Sequence, residues 1–261
     1  MSRRPPHQFR RRERPEREGA APSGRAAGST VWLFGHHAVA AALANPRRTV
    51  RRILATKNAL DRLGAGVLAR HAAPQEIAPR DLDKLLGEGV VHQGIAIEAE
   101  PLPALDVADL AGSDLVVVLD QVTDPHNVGA IMRTAAAFAA GGVVTTARHA
   151  PDETGVLAKA ASGALDIVPL VAVANLARAL GDLADLGFFR IGLDSEAAER
   201  LAPSAAGGKT ALVLGAEGKG LRRLTRDTCD ATARLDLPGR ISSLNVSNAA
   251  ALALYVVHSG R

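Results

Sequence analysis

Residues 212–224 read LVLGAEGKGLRRL, and residues 234–255 read RLDLPGRISSLNVSNAAALALY. The first stretch is an apolar strand that breaks into a turn with glycines at 215, 218 and 220. The second contains a Pro-Gly turn, and Ser243, Leu244 and Asn245 then open an alanine-rich helix. Glycine-rich turns leave backbone amides and carbonyls accessible beside small side chains. The two loops are therefore suited to a flat, polar cofactor.

Apolar strands and helices alternate before and between these loops. The strand-like runs are LVVVLD (115–120), GVVTT (142–146), DIVPLV (166–171), FFRIGLD (188–194) and TALVLG (210–215). Continuous apolar strands separated by helices predict a parallel sheet that is covered on both faces. In such sheets ligands bind at the carboxyl ends of the strands. The loops after Asp120, Leu214 and Leu235 start at such ends.

The chain divides into four parts. Residues 1–29 predict a disordered basic tail, 30–100 a small α/β unit, 101–113 a linker with two prolines, and 114–261 the unit with the parallel sheet. In the small unit we expect a strand and helix in VWLFGHHAV, a strand in VRRILAT, a helix over 59–71, another in APRDLDKLL and a closing strand in VVHQGIAIEAE. The fold class is therefore α/β.

Positive charge is concentrated in the tail. The whole chain of 261 residues carries a net charge of +4, but residues 1–29 alone contain eight arginines and three glutamates. Basic tails commonly bind the phosphates of nucleic acids without sequence preference, in a salt-dependent manner. A tail that only aids solubility is the alternative. Arginines at 47, 48, 51 and 52 could extend this basic surface, although a solvated loop explains them nearly as well.

Several common types of site do not fit. Gly215–Gly220 is spaced G-x-x-G-x-G, which is not the dinucleotide fingerprint, and GKT at 208–210 lacks the earlier glycine of a phosphate loop. No cluster has metal-ligand spacing, so no metal is expected. The lone Cys229 excludes an internal disulfide, favours packing over catalysis and fits a reducing cytoplasm. We find no apolar run of roughly 18 residues, so no membrane association is expected.

The stretch DQVTDPHNVGAIMRTA (120–135) opens another helix. Asp124, Pro125 and Asn127 form a turn and cap, and the apolar stripe continues through Ile131 and Ala135. Arg133 lies about 200° around the helix from Ile131, so it projects away from the stripe. It must therefore face solvent, a ligand or another chain. The last helix is apolar on all sides, which predicts that it is buried.

These three stretches, in this order, resemble the three motifs of the SpoU (TrmH-type) RNA ribose 2′-O-methyltransferases of the SPOUT superfamily. The likeness covers residues 115–257, and FGHHAVAAAL with VHQGIAI resembles the L30e-like substrate-binding domain of the ribosomal RNA members. The resemblance implies a C-terminal trefoil knot, bound S-adenosylmethionine and a homodimer. Asn248, and Asp236 with Pro238, depart from the usual motif.

The resemblance also assigns residues. It implies cofactor contacts at Leu214, Gly215, Ala216, Gly218, Leu235, Leu237 and Leu244. It implies catalytic or positioning roles for Asn127, Arg133, Glu217, Ser243 and Asn245. The family proposal makes Arg133 a base, whereas a guanidinium that is always protonated more easily stabilises the developing alkoxide and holds a phosphate.

The function that follows is methylation of a ribose 2′-hydroxyl in RNA, with a guanosine of 23S ribosomal RNA as the expected substrate and no DNA partner. Transfer RNA is the alternative substrate within the family. A catalytically silent RNA-binding or ribosome-assembly factor is an alternative of another class, and a nicotinamide oxidoreductase is disfavoured by the glycine spacing.

Overall fold

The small unit is built on an antiparallel sheet. The computed structural model describes residues 29–68, 70–148, 151, 153–202, 208–240 and 243–260. The first four strands are β1 (Val31–Phe34), β2 (Val50–Ala55), β3 (Gln75–Glu76) and β4 (Ile95–Ala99). Their order is β1-β4-β2-β3, with β4 antiparallel to both of its neighbours. The predicted tail lies outside the described residues except for Ser29.

Four helices cover this sheet: α1 (His36–Ala44), α2 (Lys57–Leu63), α3 (Ala65–Leu68) and α4 (Pro79–Leu86). The single helix expected over 59–71 is wrong. It begins earlier, at Lys57, and it is interrupted at Gly64, whose φ of 76° is incompatible with continuing the helix. The short strand β3 was also not expected, because two residues give no alternating pattern.

The second unit contains the predicted parallel sheet. Its strands are β5 (Leu115–Asp120), β6 (Gly142–Thr146), β7 (Leu170–Val173), β8 (Phe189–Leu193), β9 (Thr210–Gly215) and β10 (Ala231–Ala233). The order is β10-β8-β9-β5-β6-β7, and every neighbouring pair is parallel. All six residues of β5 are buried, which confirms that its continuous apolar run marks a central strand.

Helices lie on both faces of this sheet. They are α5 (Pro125–Ala137), α6 (Gly155–Ala161), α7 (Leu176–Asp185), α8 (Arg223–Thr228) and α9 (Val246–Ser259). Val117 and Leu119 of β5 pack into the core that includes α5, α6 and α9, whereas Val116 and Val118 pack into the core that includes α7. The first of these cores continues into the small unit.

Three local expectations need correction. The strand expected over 166–171 begins only at Leu170, because residues Ala164–Asp166 form a 3₁₀ helix and Pro169 has no N–H for a ladder. The strand expected to end at Leu235 is β10, which ends at Ala233. Helix α8 was not predicted, since a segment of six residues carries too little periodicity. The trefoil knot stays a prediction.

The last helix is not buried on all sides in a single chain, contrary to expectation. Ala250, Ala253, Leu254 and Val257 are fully buried, but Leu252 is 45 % exposed and Tyr255 is 61 % exposed. One face of α9 is therefore apolar and open. Among the described residues, no helix is both long and apolar enough to cross a membrane.

Candidate functional site

The carboxyl ends of β5 and β9 form the floor of the candidate site. These strands are neighbours, and Asp120 pairs in register with Gly215. After β5, Gln121 adopts a left-handed conformation with φ of 62°. The Asp124 carboxylate then accepts a hydrogen bond from the amide of His126 at 3.0 Å, and this cap starts α5. The turn places Asn127 in the first turn of α5.

The turn after β9 folds back tightly on itself. A Cβ at Gly215 would lie 2.1 Å from the carbonyl carbon of Gly220, so no larger residue fits there without moving the backbone. Gly218 and Gly220 have φ of 74° and 63°, and the amide of Gly220 donates to the carbonyl of Ala216 at 2.9 Å. The glycines therefore serve two purposes, close approach at 215 and left-handed backbone at 218 and 220.

An ion pair between the buried Asp120 and the exposed Arg222 fixes the far end of this turn. Asp120 is fully buried, and its carboxylate accepts hydrogen bonds from the backbone amide of Arg222 at 2.9 Å and from Arg222 Nε at 2.7 Å. A carboxylate buried without a cation would carry a large desolvation penalty. The pair therefore clamps the glycine turn to the end of β5. The pair could not be predicted from the sequence, because its partners are 102 positions apart.

Asn245 joins the three motifs in one hydrogen-bonded group. It caps α9, where its Oδ1 accepts from the amide of Ser247 at 2.9 Å. Its Nδ2 donates to Asn127 Oδ1 at 3.1 Å and to Glu217 Oε2 at 3.3 Å. Three of the five residues assigned to catalysis or positioning are thus brought together from distant parts of the chain. We call Asn127, Glu217 and Asn245 the site network.

A cavity of about 460 Å³ opens beside the site network. This volume falls within the range of about 300–1,000 Å³ that is common for ligand sites. Its walls come from the turn after β5, the turn after β9 and the start of α9, and the lining residues are Gln121, Val122, Thr123, Asp124, Asn127, Ala216, Glu217, Lys219 and Val246. Gln121, Val122 and Thr123 were not predicted to line the site, and Asp124 was predicted only as a helix cap, because polar turn residues before a helix are common.

The residues assigned to the cofactor lie in two segments. Leu214, Gly215, Ala216 and Gly218 belong to the end of β9 and its turn, and Ala216 lines the cavity. Leu235, Leu237 and Leu244 are partly buried in the segment between β10 and α9. Residues 241 and 242 of that segment lie outside the described part of the chain.

Arg133 and Ser243 stand apart from the site network. Arg133 is exposed on α5, while Ile131 and Ala135 are buried, so the predicted direction of its side chain is confirmed. It follows Asn127 by six residues, or about 9 Å along the helix axis. Ser243 is exposed two residues before the cap of α9. In the described parts of the chain no hydrogen bond joins either residue to the site network.

The arginines near position 50 are mostly paired within the protein. Arg51 and Arg52 form ion pairs with Glu100 and Glu98, and Arg52 also lies over the Trp32 ring. Hydrogen bonds from Thr30 and Arg52 lower the pKa of Glu98. Arg48 is completely buried, so neither a basic surface nor a solvated loop describes it. The extended basic patch is therefore weaker than the sequence suggests.

Cys229 and Lys209 form contacts within the fold and are not part of the candidate site. Burial raises the pKa of the Cys229 thiol to about 11, so the thiol is protonated at neutral pH, and it donates to the carbonyl of Thr225. Lys209 donates to the carbonyls of Ala111 and Leu186, which is a packing role. The described residues contain no group of three or more side chains arranged to hold a metal ion.

Comparison with known families decides the family to which the chain belongs. The model of the SpoU rRNA methylase family matches residues 114–255, which is more than half of the chain. The chain belongs to the SpoU rRNA methylase family. A second model, for RNA 2′-O ribose methyltransferase substrate binding, matches residues 32–105. The protein is therefore an RNA 2′-O-ribose methyltransferase with a substrate-binding unit ahead of its catalytic unit.

Individual relatives of this SpoU methylase agree over most of its length. It is 40 % identical over 231 residues to a 23S rRNA (guanosine-2′-O-)-methyltransferase of Ralstonia nicotianae, an alignment covering 85 % of this chain and 93 % of the relative. The corresponding enzyme of Photobacterium profundum is 37 % identical, covering 87 % and 96 %. The crystal structure of AviRb from Streptomyces viridochromogenes in complex with AdoMet matches with a TM-score of 0.73 and 26 % identity, covering 88 % and 89 %.

Proposed function

We propose that this SpoU methylase transfers a methyl group from S-adenosylmethionine to the ribose 2′-hydroxyl of a guanosine in 23S ribosomal RNA. The observation that carries the proposal is the site network, in which Asn245 donates to both Asn127 and Glu217 beside the cavity. The relatives with 37–40 % identity carry that activity in their names and align with most of the chain.

We propose that the cofactor lies against the glycine turn and the segment before α9. The donors and acceptors available there are backbone groups, because Gly215, Ala216 and Gly218 have no polar side chains. Leu235, Leu237 and Leu244 supply partly buried apolar surface in the segment before α9. A flat, polar molecule with a positively charged sulfur fits such a pocket, and AviRb was crystallised with the same cofactor.

The chemistry is an in-line displacement. The cofactor supplies a methyl group that is made electrophilic by its sulfonium. The 2′-oxygen forms a bond to this methyl while the carbon–sulfur bond breaks, and the hydroxyl proton is released to water. Arg133 stabilises the developing alkoxide and holds the neighbouring phosphate, since a guanidinium stays protonated. Asn127 and Glu217 orient the nucleotide, and Ser243 and Asn245 shape the cofactor loop.

We propose that the active form is a homodimer whose sites are shared between chains. The exposed face of α9 carries Leu252 and Tyr255, and Phe138, just after α5, lies with its ring centroid 6.5 Å from that of Tyr255. An apolar face of this kind is suited to a second copy of the same face. Arg133 is exposed and stands outside its own site network, so it is free to reach the partner's network.

Mixed dimers test the shared site. One chain carries Arg133→Ala and the other Asn245→Ser, each with its own affinity tag, and heterodimers are isolated after co-expression. Because one of the two composite sites then contains both native residues, about half of the wild-type rate should be recovered. If each site is built within one chain, the heterodimer will be as inactive as the two parent dimers.

Substrate identity is tested by methylating 23S ribosomal RNA and transfer RNA with labelled S-adenosylmethionine and mapping the 2′-O-methyl positions. We expect one guanosine in 23S RNA to be labelled. Labelling confined to transfer RNA would favour the alternative substrate. A protein that binds RNA but not S-adenosylmethionine in calorimetry would be a silent factor. We place the enzyme in the cytoplasm, where ribosomal RNA is found.

The proposed division of the chain has the substrate-binding unit at residues 30–100, the linker at 101–113 and the methyltransferase unit from 114. Two separate sheets and two family matches support this division. The basic tail at 1–29 is proposed to add phosphate contacts, so its removal should flatten the salt dependence of RNA binding. An unchanged salt slope would show that the tail does not contact RNA.

A further inference from the structure

A buried ion cluster joins the substrate-binding unit to the methyltransferase unit. Arg48 lies between α1 and β2, and its side chain is 0 % exposed. Its Nε donates to Asp166 at 2.9 Å, and its Nη1 donates to Glu153 and to the carbonyl of Glu100 at 3.0 Å. Both carboxylates belong to the methyltransferase unit, and their side chains are almost completely buried. We call Arg48, Glu153 and Asp166 the interdomain joint.

The same two carboxylates also hold the residue after α1 and the start of the linker. Asn45 Nδ2 donates to Asp166 Oδ1 at 3.0 Å, and the amide of Leu102 donates to Glu153 Oε2 at 3.1 Å. Leu102 is the second residue of the proposed linker. The end of α1, the start of β2 and the start of the linker are therefore tied to the methyltransferase unit at one point.

The two units also approach each other closely beside the interdomain joint. A Cβ at Gly155 would lie 2.1 Å from the Phe34 ring and 2.6 Å from the carbonyl of Trp32. A Cβ at Gly163 would lie 2.9 Å from the carbonyl of His37. The two units thus approach each other through backbone, where only glycine fits.

A rigid connection leads from the interdomain joint to the site network. Glu153 precedes α6, and α6 packs on α5 so closely that a Cβ at Gly129 would lie 2.5 Å from the Cβ of Ala160. Helix α5 carries both Asn127 and Arg133. If the substrate-binding unit moved relative to Glu153, it would therefore also move relative to Asn127 and Arg133, which are proposed to contact the ribose and its phosphate.

An ion cluster is a poor choice if stability is the sole requirement. A well-packed apolar set of similar volume is often as stable as a buried ion pair, because the charges must first lose their hydration. Burial opposes the charged form of Arg48, but hydrogen bonds and charge from Asp166 and Glu153 outweigh it and raise the pKa of the guanidinium. The cluster adds a defined relative position of the two units, since any displacement would leave a buried charge unpaired.

We propose that Arg48 is a positioning residue that fixes the spacing between bound RNA and the methyl-transfer site, and so determines which nucleotide is methylated. The proposal rests on the proposed transfer to ribosomal RNA. RNA held by the substrate-binding unit meets the site network at one fixed distance, set by the interdomain joint. Loss of the joint should leave the chemistry intact but let neighbouring riboses reach the site.

The first test measures the spacing without any activity. Spin labels at Glu76→Cys and Asp182→Cys, both exposed, report the distance between the units, with Cys229→Ala as background and an excess of unlabelled chain in the dimer. The test variant is Arg48→Met, Glu153→Met, Asp166→Leu, which leaves no buried charge unpaired and should fold. The matched control is Arg52→Met, whose ion pair with Glu98 lies inside one unit.

A broadened distance distribution in the triple variant, with an unchanged distribution in the control, supports the proposal. A distribution as narrow as in the wild type would overturn it, because packing alone would then set the spacing. This result does not depend on catalysis, so it stands even if the wild-type enzyme fails to methylate ribosomal RNA. That failure would instead refute the proposed function.

The second test maps the methylated positions. At the wild-type nucleotide, the triple variant should lose on the order of 10²-fold in kcat/KM, the effect of a misplacement of about 1 Å. Methylation at neighbouring riboses should rise, while the affinity for S-adenosylmethionine stays the same. An unchanged position and an unchanged kcat/KM in the triple variant would overturn the proposal. Arg48→Lys keeps the positive charge but loses the paired donors of the guanidinium. This variant should therefore methylate the wild-type nucleotide with a selectivity between those of the wild type and the triple variant.

Discussion

The interdomain joint and the site network are both groups of three polar side chains drawn from distant parts of the chain, yet they differ in completeness. In the joint, the guanidinium and both carboxylates are buried, and Arg48 Nε and Nη1 pair with the carboxylates, whereas Arg48 Nη2 has no hydrogen-bond partner among the described residues. In the site network, Asn127 and Asn245 are partly buried, Glu217 is exposed, and Arg133 and Ser243 lie outside. The charges of the joint are paired within one chain, whereas the site is open to a cofactor, an RNA and a second chain.

The largest expected effect is on stability, from breaking the joint. Asp166→Ala leaves Arg48 buried with one carboxylate less, which should lower the free energy of unfolding by about 3–5 kcal/mol. Glu217→Ala in the site network removes an exposed carboxylate and should change it by less than about 0.5 kcal/mol. Urea unfolding measures both. If both variants lost the same free energy of unfolding, the joint and the site network would not differ in burial and pairing.

The next largest effect is on the methylation rate, from a substitution in the candidate site. Arg133→Ala should lower the methylation rate by about 10²–10³-fold, because a donor to the developing alkoxide is lost. Since Arg133 is exposed, the variant should have the same free energy of unfolding and the same affinity for S-adenosylmethionine as the wild type. Arg178→Ala, an exposed arginine on α7, is the control. A methylation rate near that of the wild type would remove Arg133 from the mechanism.

A third variant shows whether the ion pair between Asp120 and Arg222 supports cofactor binding at the open site. Asp120→Asn weakens the clamp on the glycine turn, since the amide keeps an acceptor but loses the charge facing Arg222. A loss of about 1.4 kcal/mol would weaken S-adenosylmethionine binding about tenfold. Calorimetry measures this, with Asp185→Asn on the surface of α7 as control. Identical affinities for both variants would mean that the turn holds its shape without the clamp.

The smallest effect comes from an ion pair outside both regions. Asp230 accepts hydrogen bonds from Arg190, and these lower its pKa below the ordinary value of 3.8. A lowered pKa in the folded state stabilises the fold at pH values above the ordinary pKa of the carboxyl group. This stabilisation is lost as the pH falls through the folded-state pKa. Asp230→Asn should therefore cost less than about 1 kcal/mol at pH 7 and nothing in strong acid. A cost that persists in strong acid would point to packing instead.

Much of this architecture could be predicted from the sequence, where the signal was local. The apolar run of β5 predicted a central strand, the spacing of Ile131 and Arg133 predicted which side of α5 is exposed, and the glycines at 215, 218 and 220 predicted a tight turn. In each case the neighbours that decide the structure lie within a few residues. The resemblance to the SpoU family supplied the site residues.

What could not be predicted depends on contacts across the fold. Arg48 looks like Arg47, Arg51 and Arg52 in the sequence, and only the packing of two units shows that it is buried. The partner of Asp120 lies 102 positions away, at Arg222. The open face of α9 was missed because an apolar helix gives no sign of which chain will cover it.

Asn245 holds the site network together from the start of the last helix, and this sets the order of events during protein synthesis. Arg48, Glu153 and Asp166 are all translated before Glu217 and Asn245. Domains generally begin to fold from the N-terminal side as the chain emerges. A nascent chain can therefore dock its substrate-binding unit early, but it has no assembled network until α9 has emerged. An enzyme made by the ribosome thus acquires its activity towards ribosomal RNA only after Asn245 has emerged from the ribosome.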